Sequence, residues 1–241
     1  MEWTDQGIVL SGRPHGEAAA IVTLLTREHG RHAGLVMGGR SKSQRGHIEP
    51  GTVVAARWRG RLAEHLGNYV LEPVRGYAAG VLDDPPRLAA LTAACALVEA
   101  ALPEHEPHSA LYDGLCALLE VLDIAPAWAE AYVRWEVGLL AELGFGLDLE
   151  RCAVTGTVGG VNDYLAFVSP RTGRAVSVSA GEPYRDRLLP LPGFLIGRGV
   201  GGTEEVAAGL RLTGYFLERH LLNAPLPPAR ERLVERVVRH A

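Results

Sequence analysis

Asp83-Asp84-Pro85-Pro86 is where this sequence changes character. Before it, apolar residues come in short runs broken by turn residues. Beyond it they recur at helical spacing. Reading back from the break, Asn68 to Val74 and Thr52 to Trp58 are strand-like, with Pro50-Gly51 marking a turn. His32 to Met37, Ala20 to Leu25 and Gly7 to Leu10 add three more apolar runs, the last two separated by a turn over Gly12 to Gly16. Five short strands in about 80 residues suit a small closed barrel of the OB type. Reading forward, Leu88, Leu91, Cys95, Val98 and Leu102 fall on one helical face that Pro103 ends. Leu111, Leu115, Leu118 and Leu122 mark a second helix. Trp128, Tyr132, Trp135, Leu139 and Leu143 mark a third, closed by Gly144 and Gly146. Thr203 is a candidate N-cap for a helix reaching Asn223, and Pro227-Pro228 opens a last one ending near Arg239. The expectation is an α+β chain: an OB-fold β-barrel over residues 1–80, then an antiparallel all-α bundle over residues 81–241. The bundle is interrupted by a turn-rich, irregular insertion at about 150–190.

With 241 residues, 47% of them hydrophobic and 22% charged, the chain has ample material for a core, so neither disorder nor a disulfide framework is needed. Cys95, Cys116 and Cys152 are too few and too scattered for a secreted scaffold, and the first two sit among Ala and Leu as small hydrophobes. Charge or proline interrupts every apolar stretch before membrane-spanning length, and Met1 to Asp5 lacks the features of a signal peptide. A cytoplasmic protein without membrane contact is expected. Its net charge of −4 is unevenly spread. Residues 1–80 carry ten Arg/Lys against seven Asp/Glu, or +3, and residues 81–241 carry fourteen against twenty-one, or −7. Positive charge gathered in one region makes a local anion-binding surface, or simply a solvated face.

A catalytic centre is hard to assemble. Gly38-Gly39-Arg40-Ser41-Lys42 lacks the spacing of a Walker A loop. Gly197 to Gly202 follows a proline-rich segment, where a dinucleotide loop would follow a strand. The pairs His29/His32 and His105/His108 have no third metal ligand nearby, and no Gly-x-Ser-x-Gly elbow exists. No enzyme, cofactor or metal is expected. Arg40-Ser41-Lys42-Ser43-Gln44-Arg45, by contrast, interleaves three cations with hydroxyls between glycines, an arm able to meet several phosphates. Arg57, Arg59 and Arg61 alternate with Trp58 along a strand, so the arginines share one face and Trp58 points the other way, into the core. Besides Trp58, the only large aromatics before the break are Trp3, Tyr69 and Tyr77. That scarcity favours contact with the backbone of a nucleic acid over reading of its bases.

These residues also resemble a family. Gly7 to Leu10, Arg13-Pro14-His15-Gly16-Glu17 and Thr26-Arg27-Glu28-His29-Gly30 are similar to the opening of RecO proteins, and Gly38 to Ser43 and Pro50-Gly51 continue the pattern. Arg134-Trp135-Glu136, Leu139-Leu140 and Leu143-Gly144-Phe145-Gly146 resemble the family's central helix and its exit. The resemblance implies a recombination mediator in DNA repair. Such a protein binds single- and double-stranded DNA, anneals complementary strands, and works with RecR to load RecA on strands coated by single-stranded-DNA-binding protein. It also implies a zinc site of two Cys-x-x-Cys pairs. Cys152 matches the first position, but Thr155, Ser177 and Ala180 stand at the other three, so a degenerate, zinc-less insertion is expected.

The DNA-contacting candidates are Arg40, Lys42, Arg45, Arg57 and Arg59, with Arg13 and Arg31 outlying. The resemblance places Arg134 where the family receives the acidic, apolar C-terminal tail of the single-stranded-DNA-binding protein; an intramolecular ion pair is the alternative. Two rival readings stay open: an RNA-binding OB module with a helical interaction domain, and an enzyme whose site is assembled from loops.

Overall fold

The computed structural model describes residues 1–39, 41, 44, 46–62, 65–160 and 163–239. The chain divides into two compact units, one formed by Met1–Pro126 with Pro227–Leu233, the other by Ala127–Leu226 with the residues from Val234 onward.

In the first unit, β1 (Glu2–His15), β2 (Ala19–Thr26), β3 (Gly30–Val36), β4 (Thr52–Arg59) and β5 (Asn68–Gly76) close into a barrel of strand order β1-β2-β3-β5-β4. That order is consistent with an OB-fold. Closure depends on β1, which pairs with β4 through Glu2 to Ile8 and with β2 through Gly7 to His15, with a bulge between Val9 and Ser11. The turn expected over Gly12 to Gly16 is therefore mostly strand. Polar residues at both ends of β1 hid a 14-residue strand behind its four-residue apolar centre. Strand alternation fills the barrel, with Val54, Ala56 and Trp58 of β4 buried and Ala55, Arg57 and Arg59 exposed. Val9, Val22, Leu24, Tyr69 and Leu71 complete the core.

Helix α1 (Pro85–Ala101) starts where the break in the sequence lies. The Asp84 carboxylate accepts the N–H of Arg87 at 3.2 Å, and Pro85 supplies a first turn that needs no N–H. α2 (Ser109–Ile124) follows. Both belong to the barrel's unit. Gly51, at φ +81, leaves room for Leu91 of α1, whose methyls would lie 2.9 Å from a Cβ there. Arg13 pairs with Glu99 of α1 at 2.9 Å and Arg27 with Asp113 of α2 at 2.7 Å. The break at residues 83–86 is thus a change of secondary structure inside one unit, and the chain divides in space after Pro126.

The second unit holds α3 (Trp128–Glu142), β6 (Leu165–Val168), β7 (Ala175–Ser177), the single turn α4 (Val178–Gly181), β8 (Leu189–Pro190) and α5 (Thr203–Phe216). α5 runs on as a π-helical stretch, Leu217–Leu222, ended by Asn223 in the left-handed region at φ 49. A last helix, α6, spans Pro228–Arg239. Thr203 proves to be the first residue of α5, with Gly202 at the cap position. α3 packs on α5 closely enough that a Cβ at Gly209 would lie 2.8 Å from Val133 Cγ1. The buried Glu136 carboxylate accepts a hydrogen bond from the Thr213 hydroxyl. The expectation of an all-α remainder needs correcting, because β6, β7 and β8 form a three-stranded sheet in the order β7-β6-β8. Strands of two to four residues are too short to show a period, so the segment reads as irregular. Among the described residues, no helix is long and apolar enough to cross a membrane.

Candidate nucleic-acid interface

The arginines of the barrel sort into two groups by their partners. Those that face α1 and α2 are neutralised. Besides the Arg13 and Arg27 pairs, Arg75 lies 3.2 Å from Asp123, and Arg31 donates from Nε to the Leu102 carbonyl at 2.7 Å with Glu104 at 3.3 Å. Arg31 is largely covered and serves the free carbonyl at the end of α1. Arg13 keeps 70% of its side chain exposed although one guanidinium nitrogen is engaged.

Arg57 and Arg59 form the second group, on the outer face of β4. Their Cα partners are Thr4 and Glu2 on β1 and Val70 and Asn68 on β5, so a three-strand surface surrounds them. A groove of about 270 Å³ runs there, lined by Thr4, Ala55, Arg57, Val70 and Glu72 among others. Arg57 has only Glu2, 4.0 Å away and itself half-exposed, and Arg59 has no ion pair among the described residues. At such separation between exposed groups the Glu2 pairing is weak, which leaves the guanidinium able to exchange it for phosphate. Arg40, Lys42 and Arg45 lie outside the described residues.

The aromatic side chains are all turned inward. Trp58 is fully buried, Tyr69 is 4% exposed, and Trp3 stacks on His29 at 4.1 Å and packs near Trp58 at 5.7 Å. Tyr69's hydroxyl lies 3.0 Å from His32 Nδ1, and burial, with Asp5 nearby, pushes its ionisation well above the ordinary tyrosine value. The outer face thus presents Arg57 and Arg59 beside the Glu2 and Glu72 carboxylates and small side chains, with no large ring, so its arginines can meet sugar and phosphate but not stack on bases.

Two family descriptions match, Recombination protein O N terminal over residues 1–77 and Recombination protein O C terminal over residues 82–228. The chain belongs to the recombination protein O family. It is 64% identical over 239 residues to the DNA repair protein RecO of Rhodospirillum centenum, covering 98% of this chain and 94% of that one. It is 53% identical over 250 residues to that of Rhodospirillum rubrum, covering 99% and 97%, and 50% identical over 242 residues to that of Phenylobacterium zucineum, covering 98% of each. This is a family of DNA repair and recombination proteins.

The zinc site suggested by the family resemblance does not fit the residues present. The fully buried Cys152 Sγ accepts the Ser177 N–H at 3.3 Å and lies 3.7 Å from Ser177 Oγ. Burial pushes the thiol up, but hydrogen bonds from the Thr155 side chain and the backbone N–H groups of Thr155, Ser177 and Val154 outweigh it and hold it at about 6. Two of the three other positions that would carry zinc ligands, Thr155 and Ser177, instead hydrogen-bond to this one sulfur. One thiolate with hydroxyls is not a structural zinc set, and no group of three or more His, Cys, Asp or Glu able to hold a metal occurs among the described residues. Elemental analysis of protein from zinc-supplemented culture is expected to find far less than one zinc per chain. A full equivalent retained through a chelator would contradict this. Cys95, by comparison, is simply core, its thiol pushed up to about 12 by burial.

Arg134, on α3, donates to the Phe194 carbonyl at 3.1 Å, lies 3.5 Å from Glu130 and sits 5.1 Å from the Phe194 ring centroid. Almost half of its side chain, 48%, stays exposed. Of the apolar residues that mark this helix, Tyr132 and Leu139 are buried in the core, while Trp128 and Trp135 are partly exposed.

Proposed function

We propose that this protein is a recombination mediator of DNA repair that acts by binding and bringing strands together, without turnover of its own, in the bacterial cytoplasm. The observation that carries this reading is the outer face of β4, where Arg57 and Arg59 stand exposed on a barrel whose aromatic rings all face inward. Such a face grips phosphates without choosing a sequence, as a protein must that handles any damaged site. Arg57 and Arg59, with Arg40, Lys42 and Arg45, hold single- and double-stranded DNA, and Arg13 adds its exposed edge. Arg31 stays a lesser candidate because its guanidinium is already engaged. The barrel of residues 1–80 is then the DNA-holding domain, and residues 81–241 carry the protein partners. The sheet of β6 to β8 is the metal-less remnant of a zinc-finger-like insertion. RecR and, through it, RecA are the expected partners in loading.

Arg134 is the proposed anchor for the acidic tail of single-stranded-DNA-binding protein, with Trp128 and Trp135 as the apolar wall. To bind the tail it would release Glu130 and grip a carboxylate with both guanidinium nitrogens.

One assay tests both parts. Complementary oligonucleotides coated with the cognate single-stranded-DNA-binding protein should anneal faster when the protein is added. Arg134→Ala should weaken tail-peptide binding by about ten- to a hundred-fold, as expected for one charge-assisted contact. It should slow annealing of the coated strands and leave bare strands annealing as before. No acceleration by the wild type would end the mediator reading, and an unaffected mutant would return Arg134 to a purely intramolecular role.

A further inference from the structure

The second unit contains a basic cleft that the barrel reading does not use. Arg171, in the turn after β6, meets Tyr215 of α5 and Arg219 and His220 of the π-helical stretch around a cleft of about 510 Å³, with Pro170 as its one aliphatic wall. Arg219, four positions on, is an ordinary helical neighbour of Tyr215, and the wider turn of the π stretch places His220, five positions on, near it as well. Arg219 Nη1 donates to the Tyr215 hydroxyl at 3.2 Å and its guanidinium sits 5.5 Å from that ring's centroid. The His220 and Tyr215 centroids are 6.3 Å apart. Arg211, one helical turn before Tyr215, is exposed and adds a third guanidinium along the same face.

What sets these cations apart is that they gather around one cleft without acid. Some exposed arginines of the unit pair with carboxylates, Arg174 at 3.1 Å from Asp148 and Arg185 at 3.9 Å from Glu182. Others, such as Arg151 and Arg187, have no ion pair among the described residues but do not line this cleft. Arg171, Arg211 and Arg219 pair with no carboxylate among the described residues, although Glu218 is next in sequence to Arg219. Unneutralised guanidiniums around one cleft attract a polyanion, and the planar fork of arginine fits phosphate oxygens. A phenol and an imidazole add further hydrogen-bonding groups and rings on which a base can stack. The cleft is lined by two guanidiniums, a phenol and an imidazole beside Pro170, a set that suits a nucleic-acid strand better than an acidic peptide.

We propose that this cleft holds the backbone of a second nucleic-acid strand, while the β4 face holds the first. The proposal rests on the barrel reading and extends it: annealing needs two strands on one molecule, and holding the second raises its effective concentration near the first.

The test uses the full chain, a fluorescent oligothymidine and its complement. At low salt, titration should find two strands per chain for the wild type and one for Arg171→Glu/Arg219→Glu. The affinity for the remaining strand should be unchanged, and annealing slower by about tenfold or more. Arg57→Glu/Arg59→Glu should lose the other strand. Should the Glu pair fail to fold by circular dichroism, Arg171→Gln/Arg219→Gln removes the charge without reversing it and should give the same stoichiometry. One strand per wild-type chain, or a cleft variant that still binds two and anneals at full rate, overturns the proposal. So does polyglutamate that occupies the cleft and is not displaced by the oligonucleotide. A wild type that binds no strand at all overturns the barrel reading itself, a result that cannot be confused with loss of one site of two.

Discussion

Trp58→Ala is expected to destabilise the barrel by roughly 3–5 kcal/mol, the range for removing a large aromatic side chain from a packed core. The ring is fully buried near the end of β4, and its indole N–H donates to the Leu66 carbonyl at 3.0 Å. Two glycines mark how tightly the chain wraps it. A Cβ at Gly60 or at Gly67 would lie 2.4 Å from an indole atom, so the backbone itself forms the wall. Such a wall closes poorly around a void, and the lost hydrogen bond leaves a partly buried carbonyl unsatisfied. The consequence reaches function, because Trp58 is the inward residue between Arg57 and Arg59 and fixes the direction in which both point. Urea unfolding should show a lower midpoint at unchanged slope for the transition of the first unit. A loss below about 1 kcal/mol would mean that the site collapses easily and that Trp58 does not organise β4.

Reversing Arg40, Lys42 and Arg45 to glutamate is expected to weaken oligonucleotide binding at every sequence. These residues lie outside the described part of the structure, so the expectation rests on their chemistry: three cations among hydroxyls and glycines, between β3 and β4. Each phosphate contact releases condensed counterions, so the slope of log affinity against log salt should shrink by about one unit per contact, on the order of three if all contribute. Affinity near physiological salt should fall by about a thousand-fold or more, since reversal adds repulsion to the lost contacts. Fluorescence anisotropy across a salt series measures both quantities. An unchanged slope would remove the arm from the interface.

How much of this was legible in the sequence depends on the length of each element. β2 to β5 and the helices α1, α2, α3 and α5 are long enough for their periods to appear, and Asp84-Pro85 marks a helix start chemically. β1 was half-hidden because a barrel's first strand serves two neighbours and exposes its ends, so only its middle looks apolar. β6, β7 and β8 were missed because their side chains are too few to alternate. The division after Pro126 had no local signal either. It follows from α1 and α2 packing on the barrel, a fact of tertiary structure that no spacing encodes.

The candidate site shows the same limit. The strand period alone separates Arg57 and Arg59 from Trp58, and the structure has them on opposite faces. The ion pairs of Arg13 with Glu99 and Arg31 with Glu104 join residues more than 70 positions apart, and reading nearest neighbours could not reveal them. The basic cleft is the extreme case. Arg171 is separated from Tyr215 and Arg219 by more than 40 residues, and their meeting is set by the fold, not by any local spacing. Where arginine is concerned, exposure and pairing decide function, and both are set by the fold.

The central claim is that the outer face of β4 holds the phosphate backbone of DNA. Its most direct test is a salt titration of single-strand binding by Arg57→Glu/Arg59→Glu beside the wild type, with one oligothymidine and one mixed sequence. The account predicts that the slope loses about two units and that affinity falls equally for both sequences. An unchanged slope, or a loss confined to one of the two sequences, would contradict it.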